Sequence, residues 1–324
     1  DAVIAGKTRK LIINIAPRYG KTLLVAQMFI ACGLAINAKS KFLHLSYSGS
    51  LAQDNSVAIK EIVENDYYKA LFETRIKIGS NTKSYWSTEQ GGGVYATTTL
   101  GQITGFGAGV TDAVNDEMLI DEFTAKFNPD KFAGAIVIDD PIKPEDALSD
   151  NQRESVNRRF ETTIRNRVNS RKTPIIIIMQ RLHEHDLCGY LQEIEPDEWT
   201  VLSLPCIYKD EETGEERALW DFKHTLEELR KLRDINPFVF ETQYMQNPKP
   251  LEGLLYNNLR TYDVLPIGKY TKKNYTDTAD TGSDFLCSIC YNEYKFGMYI
   301  TDIVYTKKPM EYTEVEVPRM LNSN

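Results

Sequence analysis

The chain has 324 residues, of which 42% are hydrophobic, so it is long enough to bury the cores of about two domains. Its net charge of −8 excludes a uniformly basic protein that coats nucleic acid, because such proteins neutralise phosphates with lysine and arginine. No stretch reaches the roughly 18 to 20 uninterrupted apolar residues of a membrane span, and the five scattered cysteines form no disulfide framework, so we expect a soluble cytoplasmic protein with reduced thiols.

The first predicted element is a strand at 11–15, followed by a tight loop and a helix that continues through the apolar run 23–36. Residues 16–22 read Ala-Pro-Arg-Tyr-Gly-Lys-Thr. In such a unit the backbone N–H groups around Gly20 hold phosphates, Lys21 reaches the β and γ oxygens, and the Thr22 hydroxyl binds Mg²⁺. The usual pattern has a glycine five residues before Gly20, where this chain has Ile15. The loop alone leaves nucleotide binding and a plain strand-turn-helix unit both open.

Further short apolar runs lie at 42–47, 93–98, 135–138, 174–179 and 200–204, with helical segments between them. This alternation predicts an α/β fold with a mostly parallel, doubly wound sheet. The run 135–138 leads directly into Asp139 and Asp140, at the strand end where ligands bind in such sheets. Asp139 would hold Mg²⁺, often through water, and Asp140 would orient or deprotonate an attacking water. A strand followed by an Asp-Pro turn is the alternative for this pair taken alone.

The run 174–179 is followed by Gln180 and Arg181, which we expect at the same sheet edge, where they would sense the γ-phosphate of the nucleotide. The next residues, 183–186, read His-Glu-His-Asp. Side chains two apart on a helix point about 200° from each other, so this segment predicts a helix start rather than a metal site. The most basic stretch, 153–171, contains six arginines against two glutamates. A solvated helix face and a nucleic-acid contact are both open for it.

The character of the chain changes towards its end. A connecting subdomain is predicted at 206–266, with a charged helix at 226–234, and antiparallel strands are predicted between 270 and 305 around a turn at 293–295. Asp277, Asp280 and Asp284 lie within eight residues of one another beside the first of these strands. Clustered carboxylates repel unless a cation neutralises them, so Mg²⁺ or Mn²⁺ is one interpretation, and a turn rich in Asp, Thr and Gly is the other.

Taken in order, these segments resemble the large terminase subunit of tailed bacteriophages, the motor that packages DNA into procapsids. The matching segments are the loop 16–22, Ile-Asp-Asp-Pro at 138–141, Gln-Arg-Leu-His-Glu-His-Asp-Leu at 180–187 and Gln-Tyr-Met-Gln-Asn-Pro at 243–248. The phosphate loop of that family commonly lacks the early glycine and carries an arginine, which matches Ile15 and Arg18.

The resemblance implies a RecA-like P-loop ATPase at 1–205, a linker or lid subdomain at 206–266 and the beginning of an RNase H-like nuclease at 267–324. It implies ATP-driven translocation of double-stranded viral DNA into a procapsid and metal-dependent endonuclease cleavage of concatemeric DNA. The implied cofactors are ATP with Mg²⁺ at the ATPase site and Mg²⁺ or Mn²⁺ at the nuclease site.

By the same resemblance, the catalytic residues of the ATPase are Arg18, Lys21 and Asp140. Arg18 would either contact the γ-phosphate in its own subunit or hold the loop through the neighbouring strand. Asp277 matches the first metal-binding aspartate of the nuclease, and Asp284 a nearby second one. The later nuclease acids have no match, so we expect this domain to be incomplete. Robust DNA cleavage in Mn²⁺ by these 324 residues would contradict that expectation.

The implied partners are double-stranded DNA, the portal of the procapsid, the small terminase subunit and further copies of the chain in a ring, with no membrane. The implied location is the host cytoplasm and, transiently, the portal. Two other classes stay open at this stage. One is a different P-loop enzyme, such as a DNA helicase or repair ATPase, and the other is a non-catalytic assembly factor that only binds nucleotide.

Overall fold

The computed structural model describes residues 1–101, 107–108, 132–249, 260–278, 285–295 and 297–323. Its internal contacts divide the chain into two units, Asp1–Leu254 and Leu255–Asn324. The finer three-part division expected from the sequence stays a prediction. Within the described ranges no helix is both long enough and apolar enough to cross a membrane.

The first unit is built on a twisted sheet. Its strands in chain order are β1 (Lys10–Ile15), β2 (Lys41–Ser46), β3 (Ile76–Asn81), β4 (Tyr85–Thr88), β5 (Gly93–Thr98), β6 (Ile136–Asp139), β7 (Ile175–Met179) and β8 (Thr200–Leu204). Across the sheet, these described strands follow the order β3-β4-β5-β2-β6-β7-β1-β8. From β5 to β8 every neighbouring pair is parallel, whereas β3 and β4 extend one edge in antiparallel pairing.

The predicted mostly parallel α/β fold is confirmed, and the apolar runs expected to be strands are the parallel ones. They could be read from the sequence because β6 and β7 are buried along their whole length, which requires continuous apolar runs. The sequence analysis missed β3 and β4. Both lie at the sheet edge, and β3 contains a lysine and a glycine in six residues, so no apolar run marks it.

Helices cover both faces of the sheet. They are α1 (Phe29–Ile36), preceded without a break by a π-helical segment (Thr22–Met28), α2 (Gly49–Glu64), α3 (Asp66–Leu71), α4 (Asp150–Arg159), continued by a π-helical segment (Phe160–Ile164), and α5 (Leu187–Ile194). Successive residues of β6 point to opposite faces. Ile136 and Ile138 pack in one hydrophobic cluster with Phe160, whereas Val137 packs in the other with Ile30. The sheet is therefore dry on both sides, and polar groups are left to its carboxyl edge.

Residues 206–249 form a small lobe of the first unit. It contains a hairpin of β9 (Ile207–Lys209) and β10 (Glu216–Ala218), then α6 (Leu226–Ile235), α7 (Pro237–Val239) and a π-helical segment (Phe240–Tyr244). The charged helix predicted at 226–234 is confirmed as α6, which Thr225 and Glu228 cap reciprocally. Buried residues of the lobe, among them Leu229 and Phe240, share a hydrophobic cluster with Tyr19 of the phosphate loop. The lobe is thus packed directly against that loop.

The second unit contains an antiparallel sheet in its described part. Its strands are β11 (Thr271–Asp277), β12 (Leu286–Tyr294) and β13 (Gly297–Thr306), in that spatial order, followed by α8 (Met310–Ser323). The predicted antiparallel strands are confirmed. Alternate residues of β12 from Leu286 to Asn292 are buried, so one face of this strand is covered and the other is not. The nuclease assignment of this unit stays a prediction.

Candidate functional site

The loop that follows β1 contains two residues with a left-handed backbone, Arg18 at φ 65° and Gly20 at φ 76°. A Cβ atom at Gly20 would meet no atom closer than Leu24 Cδ1 at 4.0 Å, so conformation rather than space favours glycine there. Arg18 adopts the same region at a cost of roughly 1–3 kcal/mol, the kind of strain that is concentrated at binding loops. Its side chain is exposed. Which of its two roles Arg18 has stays a prediction.

Lys21 joins this loop to the carboxyl edge of the sheet. Its side chain is only 8% exposed, and its ammonium donates to Asp140 Oδ1 at 2.6 Å and to Gln180 Oε1. Asp140 directly follows β6 and Gln180 directly follows β7, which are adjacent parallel strands. A buried ammonium needs such partners because its desolvation is costly. The loop, β6 and β7 therefore meet at one charged group.

Thr22 and Asp139 form a second bond across the same gap. The Thr22 hydroxyl donates to Asp139 Oδ2 at 2.8 Å, and Asp139 is 4% exposed. Burial and the adjacent Asp140 carboxylate raise the pKa of Asp139 to about 6, against the lowering influence of Thr22 and Lys21. Its other oxygen, Oδ1, is buried with no partner among the described residues. A hydroxyl beside a carboxylate oxygen that lacks a partner fits Mg²⁺, which prefers hard oxygen ligands.

Asp140 differs from its neighbour in environment. Its backbone is left-handed at φ 47°, and its N–H donates to Ile178 O at 2.9 Å, which fixes the turn at the end of β6. Burial raises the pKa of Asp140, and the Lys21 ammonium opposes that rise. Asp140 is thus held beside a cation, whereas Asp139 is held by a hydroxyl. Two adjacent carboxylates with different partners are suited to different tasks at one site.

The predicted pair after β7 is divided in two by the structure. Gln180 contacts Lys21, but Arg181 turns away and donates from Nε to both carboxylate oxygens of Asp186 at 3.0 Å. Asp186 is buried and caps α5 by accepting from Gly189 N at 2.9 Å, so the segment 183–186 is the predicted helix start. The backbone N–H of Arg181 donates to Gln246 Oε1 at 3.0 Å. A phosphate-sensing role stays a prediction for both residues.

Two parts of this site were missed by the sequence analysis. Asn55 of α2 lies behind Asp139, at 3.5 Å from its Oδ2. On the other side of the loop, the Tyr19 hydroxyl lies 3.1 Å from His224 Nδ1, and the Tyr19 ring packs edge-on against Trp220 of the lobe. A polar residue on the buried face of α2 was the only signal for Asn55, and no local pattern marked the contacts of Tyr19.

No family model and no curated protein matches the chain. Solved structures match it: a large terminase from a thermophilic bacteriophage (12% identity, 99% of this chain, 72% of that chain, TM-score 0.44), the same protein in complex with ATP-gamma-S (11%, 100%, 72%, 0.44), and the HK97 bacteriophage large terminase (11%, 97%, 63%, 0.43). The chain is similar to large terminases. A further matching structure of the thermophilic bacteriophage protein is in complex with ADP.

Half of the arginines in the basic stretch 153–171 are used inside the first unit. Arg153 is buried and donates to Ala147 O at 2.7 Å, Arg159 donates to Gly101 O, and Arg165 pairs with Glu195 at 2.5 Å. Glu195 also accepts from Lys10 and from the Trp199 indole. These bonds give the stretch a structural role that neither interpretation from the sequence included. The arginines not engaged in these bonds are Arg158, Arg167 and Arg171.

Asp277 is the last residue of β11, where it is exposed and opposite Cys287 of β12. The other carboxylates of the predicted cluster, Asp280 and Asp284, lie outside the described residues. Within the described ranges no three His, Cys, Asp or Glu side chains are grouped closely enough to hold a metal ion. The metal roles of Asp277 and Asp284 therefore stay predictions.

Proposed function

We propose that the chain hydrolyses ATP to move double-stranded DNA, as the packaging motor of a tailed bacteriophage. The observation that carries the proposal is the pair of bonds across one gap, Lys21 to Asp140 and Thr22 to Asp139. A lysine and a hydroxyl at a helix start, facing two carboxylates at a parallel strand end, form a site for a nucleoside triphosphate and its metal. The order of the motifs along the sequence supports the packaging motor among such enzymes.

The residues divide the work of hydrolysis between them. The backbone N–H groups at the start of the Thr22 helix attract the phosphates, and Lys21 exchanges its carboxylate partner for phosphate oxygens. That exchange frees Asp140 to orient or deprotonate the attacking water. Thr22 and Asp139 would hold Mg²⁺, which neutralises charge on the phosphates when it is bound. Gln180 stays beside Lys21 and is suited to follow whether the terminal phosphate is present.

Two substitutions test the ATPase. Lys21→Ala removes the phosphate-binding cation, so we expect loss of both nucleotide affinity and hydrolysis. Asp140→Asn keeps the size of the side chain but removes the base, so we expect binding of a fluorescent ADP analogue to persist while turnover stops. Lys39→Ala and Asp54→Asn change an exposed lysine and an exposed aspartate elsewhere in the unit and are the matched controls. Full ATPase activity in either site variant would contradict the assignment.

A DNA substrate distinguishes a packaging motor from the other classes. Translocation along an intact duplex displaces the third strand of a triplex without separating the duplex, whereas a helicase unwinds a forked substrate. We therefore expect DNA-stimulated ATP hydrolysis and triplex displacement when rings assemble with portal and small subunit in the host cytoplasm. Forked-duplex unwinding would favour a helicase or repair ATPase. Tight nucleotide binding without DNA-stimulated hydrolysis would favour an assembly factor.

The proposed nuclease rests on Asp277, with Asp284 as a second ligand for Mg²⁺ or Mn²⁺. Asp277 ends a strand that pairs antiparallel with β12, so its carboxylate is fixed at a sheet edge. We expect Asp277→Asn to weaken Mn²⁺ binding in calorimetric titrations, with ATP hydrolysis unchanged because that chemistry belongs to the first unit. Equal Mn²⁺ affinity of the variant and the wild type would count against a nuclease centre at this position.

A further inference from the structure

Behind the two carboxylates lies a buried polar network that the mechanism above does not use. Asn55 of α2 is 7% exposed, and its amide NH₂ donates to Asp139 Oδ2 at 3.5 Å and to His44 Nε2 at 3.2 Å. Its carbonyl oxygen accepts from the Gln27 amide at 2.9 Å. The three contacts come from β6, β2 and the helix that follows the phosphate loop. The amide of Asn55 is thus oriented from three directions.

His44 determines which way this amide faces. The imidazole is fully buried, and burial lowers its pKa to about 4, so it is neutral and its Nε2 accepts the Asn55 proton. Gln27 meets the opposite side of the amide as a donor. With a donor on one side and an acceptor on the other, the NH₂ of Asn55 can only be on the side of His44 and Asp139.

The consequence falls on the two oxygens of Asp139. Oδ2 accepts from both Thr22 and Asn55, whereas Oδ1 is buried without a partner among the described residues. A buried carboxylate oxygen without a partner is costly, so its persistence points to a ligand. Asn55 contributes to this asymmetry, because without it Oδ2 would keep only the Thr22 hydroxyl and the carboxylate would be free to rotate.

We propose that Asn55 is a positioning residue, which holds Asp139 through Oδ2 and so keeps Oδ1 available to the Mg²⁺ ion that accompanies the nucleotide. The inference rests on the proposed function, since it needs a metal-nucleotide site at Asp139. Groups that orient a metal ligand from behind typically change metal affinity by about 10 to 100-fold when they are removed. Asn55 acts only through Asp139 and touches neither nucleotide nor metal.

The decisive variant is Asn55→Leu, which keeps the volume of the side chain and removes its hydrogen bonds. The probe is Mn²⁺, with the free ion measured by electron paramagnetic resonance in the presence of ADP. We expect the Mn²⁺ Kd to rise about 10-fold or more, in line with other groups behind metal ligands. The affinity for ADP in EDTA should be unchanged, and excess Mg²⁺ should restore turnover. Ser56→Ala is the matched control on the same helix, because it removes the buried acceptor of the Trp86 indole without touching Asp139.

A second variant keeps the test decisive if Asn55→Leu does not fold. Gln27→Leu removes the amide that orients Asn55 from a partly exposed position, and we expect a smaller rise in the Mn²⁺ Kd in the same direction. An unchanged Mn²⁺ Kd in a folded Asn55 variant, or in Gln27→Leu when Asn55→Leu does not fold, would overturn the inference and leave the ATPase intact. If the wild type itself bound neither ADP nor Mn²⁺ with ADP, the proposed function would fail instead.

Discussion

Removing the charge of Asp139 should stabilise the metal-free protein increasingly as the pH rises. Burial and the neighbouring Asp140 raise the pKa of Asp139 from 3.8 to about 6 in the folded state. A carboxyl group with a raised pKa favours folding below its unfolded pKa, and this contribution is lost as the pH rises through the folded pKa. Asparagine cannot ionise, so Asp139→Asn does not undergo this loss.

The magnitude follows from the two pKa values. A shift of roughly two units, at 1.36 kcal/mol per unit, corresponds to about 3 kcal/mol once the folded carboxyl is fully ionised. By the linkage relation the penalty is about 1.6 kcal/mol at pH 5 and about 3 kcal/mol at pH 8. The free energy of unfolding of Asp139→Asn should therefore gain about 1.4 kcal/mol relative to wild type between these two pH values. Other titrating groups cancel to first order in that difference.

Urea unfolding in EDTA, followed by tryptophan fluorescence, measures this difference. The three tryptophans, Trp86, Trp199 and Trp220, all lie in the first unit, so the signal reports on the unit that contains Asp139. With Mg²⁺ and ADP the order should reverse, because only the wild type gains the binding energy of the metal. Asp54→Asn, on the exposed face of α2, is the control. A pH-independent difference between Asp139→Asn and the wild type would refute the reasoning.

Three further changes have definite expected outcomes. Burial raises the pKa of Glu195, but its basic and indole donors outweigh that and lower it to about 2, so Glu195→Gln should cost about 1–2 kcal/mol at pH 7, after allowance for partial exposure, and progressively less as the pH falls towards 2 in urea unfolding. Gly33→Ala should lower the Tm, because the new Cβ would lie 2.5 Å from the ring of Phe42, and a raised Tm would contradict the packing. Asp186→Ala should destabilise the first unit by about 3–5 kcal/mol in the same urea assay, since it leaves Arg181 largely buried without its partner, and a loss below about 1 kcal/mol would contradict this.

The sequence predicted those parts of the fold and the candidate site that depend on local pattern. Parallel strands buried on both faces need unbroken apolar runs, and the polar residues that follow β6 and β7 must meet because parallel strands end at one edge. Lys21, Asp140 and Gln180 were therefore expected together, and they lie in contact. By contrast, the antiparallel edge and the contact of Asn55 with Asp139 depend on tertiary packing. No window of sequence around Asn55 specifies what its amide faces.

The phosphate loop is connected to more of the first unit than its sequence motif suggests. Tyr19 lies two residues before Lys21 and contacts His224, so residues 206–249 touch the loop from one side. From the other side, Gln246 binds the backbone of Arg181, the residue after the Gln180 that holds Lys21. Any movement of Lys21 from Asp140 to a phosphate must change its contact with Gln180. The lobe is therefore joined to both ends of that exchange, which gives nucleotide binding a physical route to the segment that leads into the second unit.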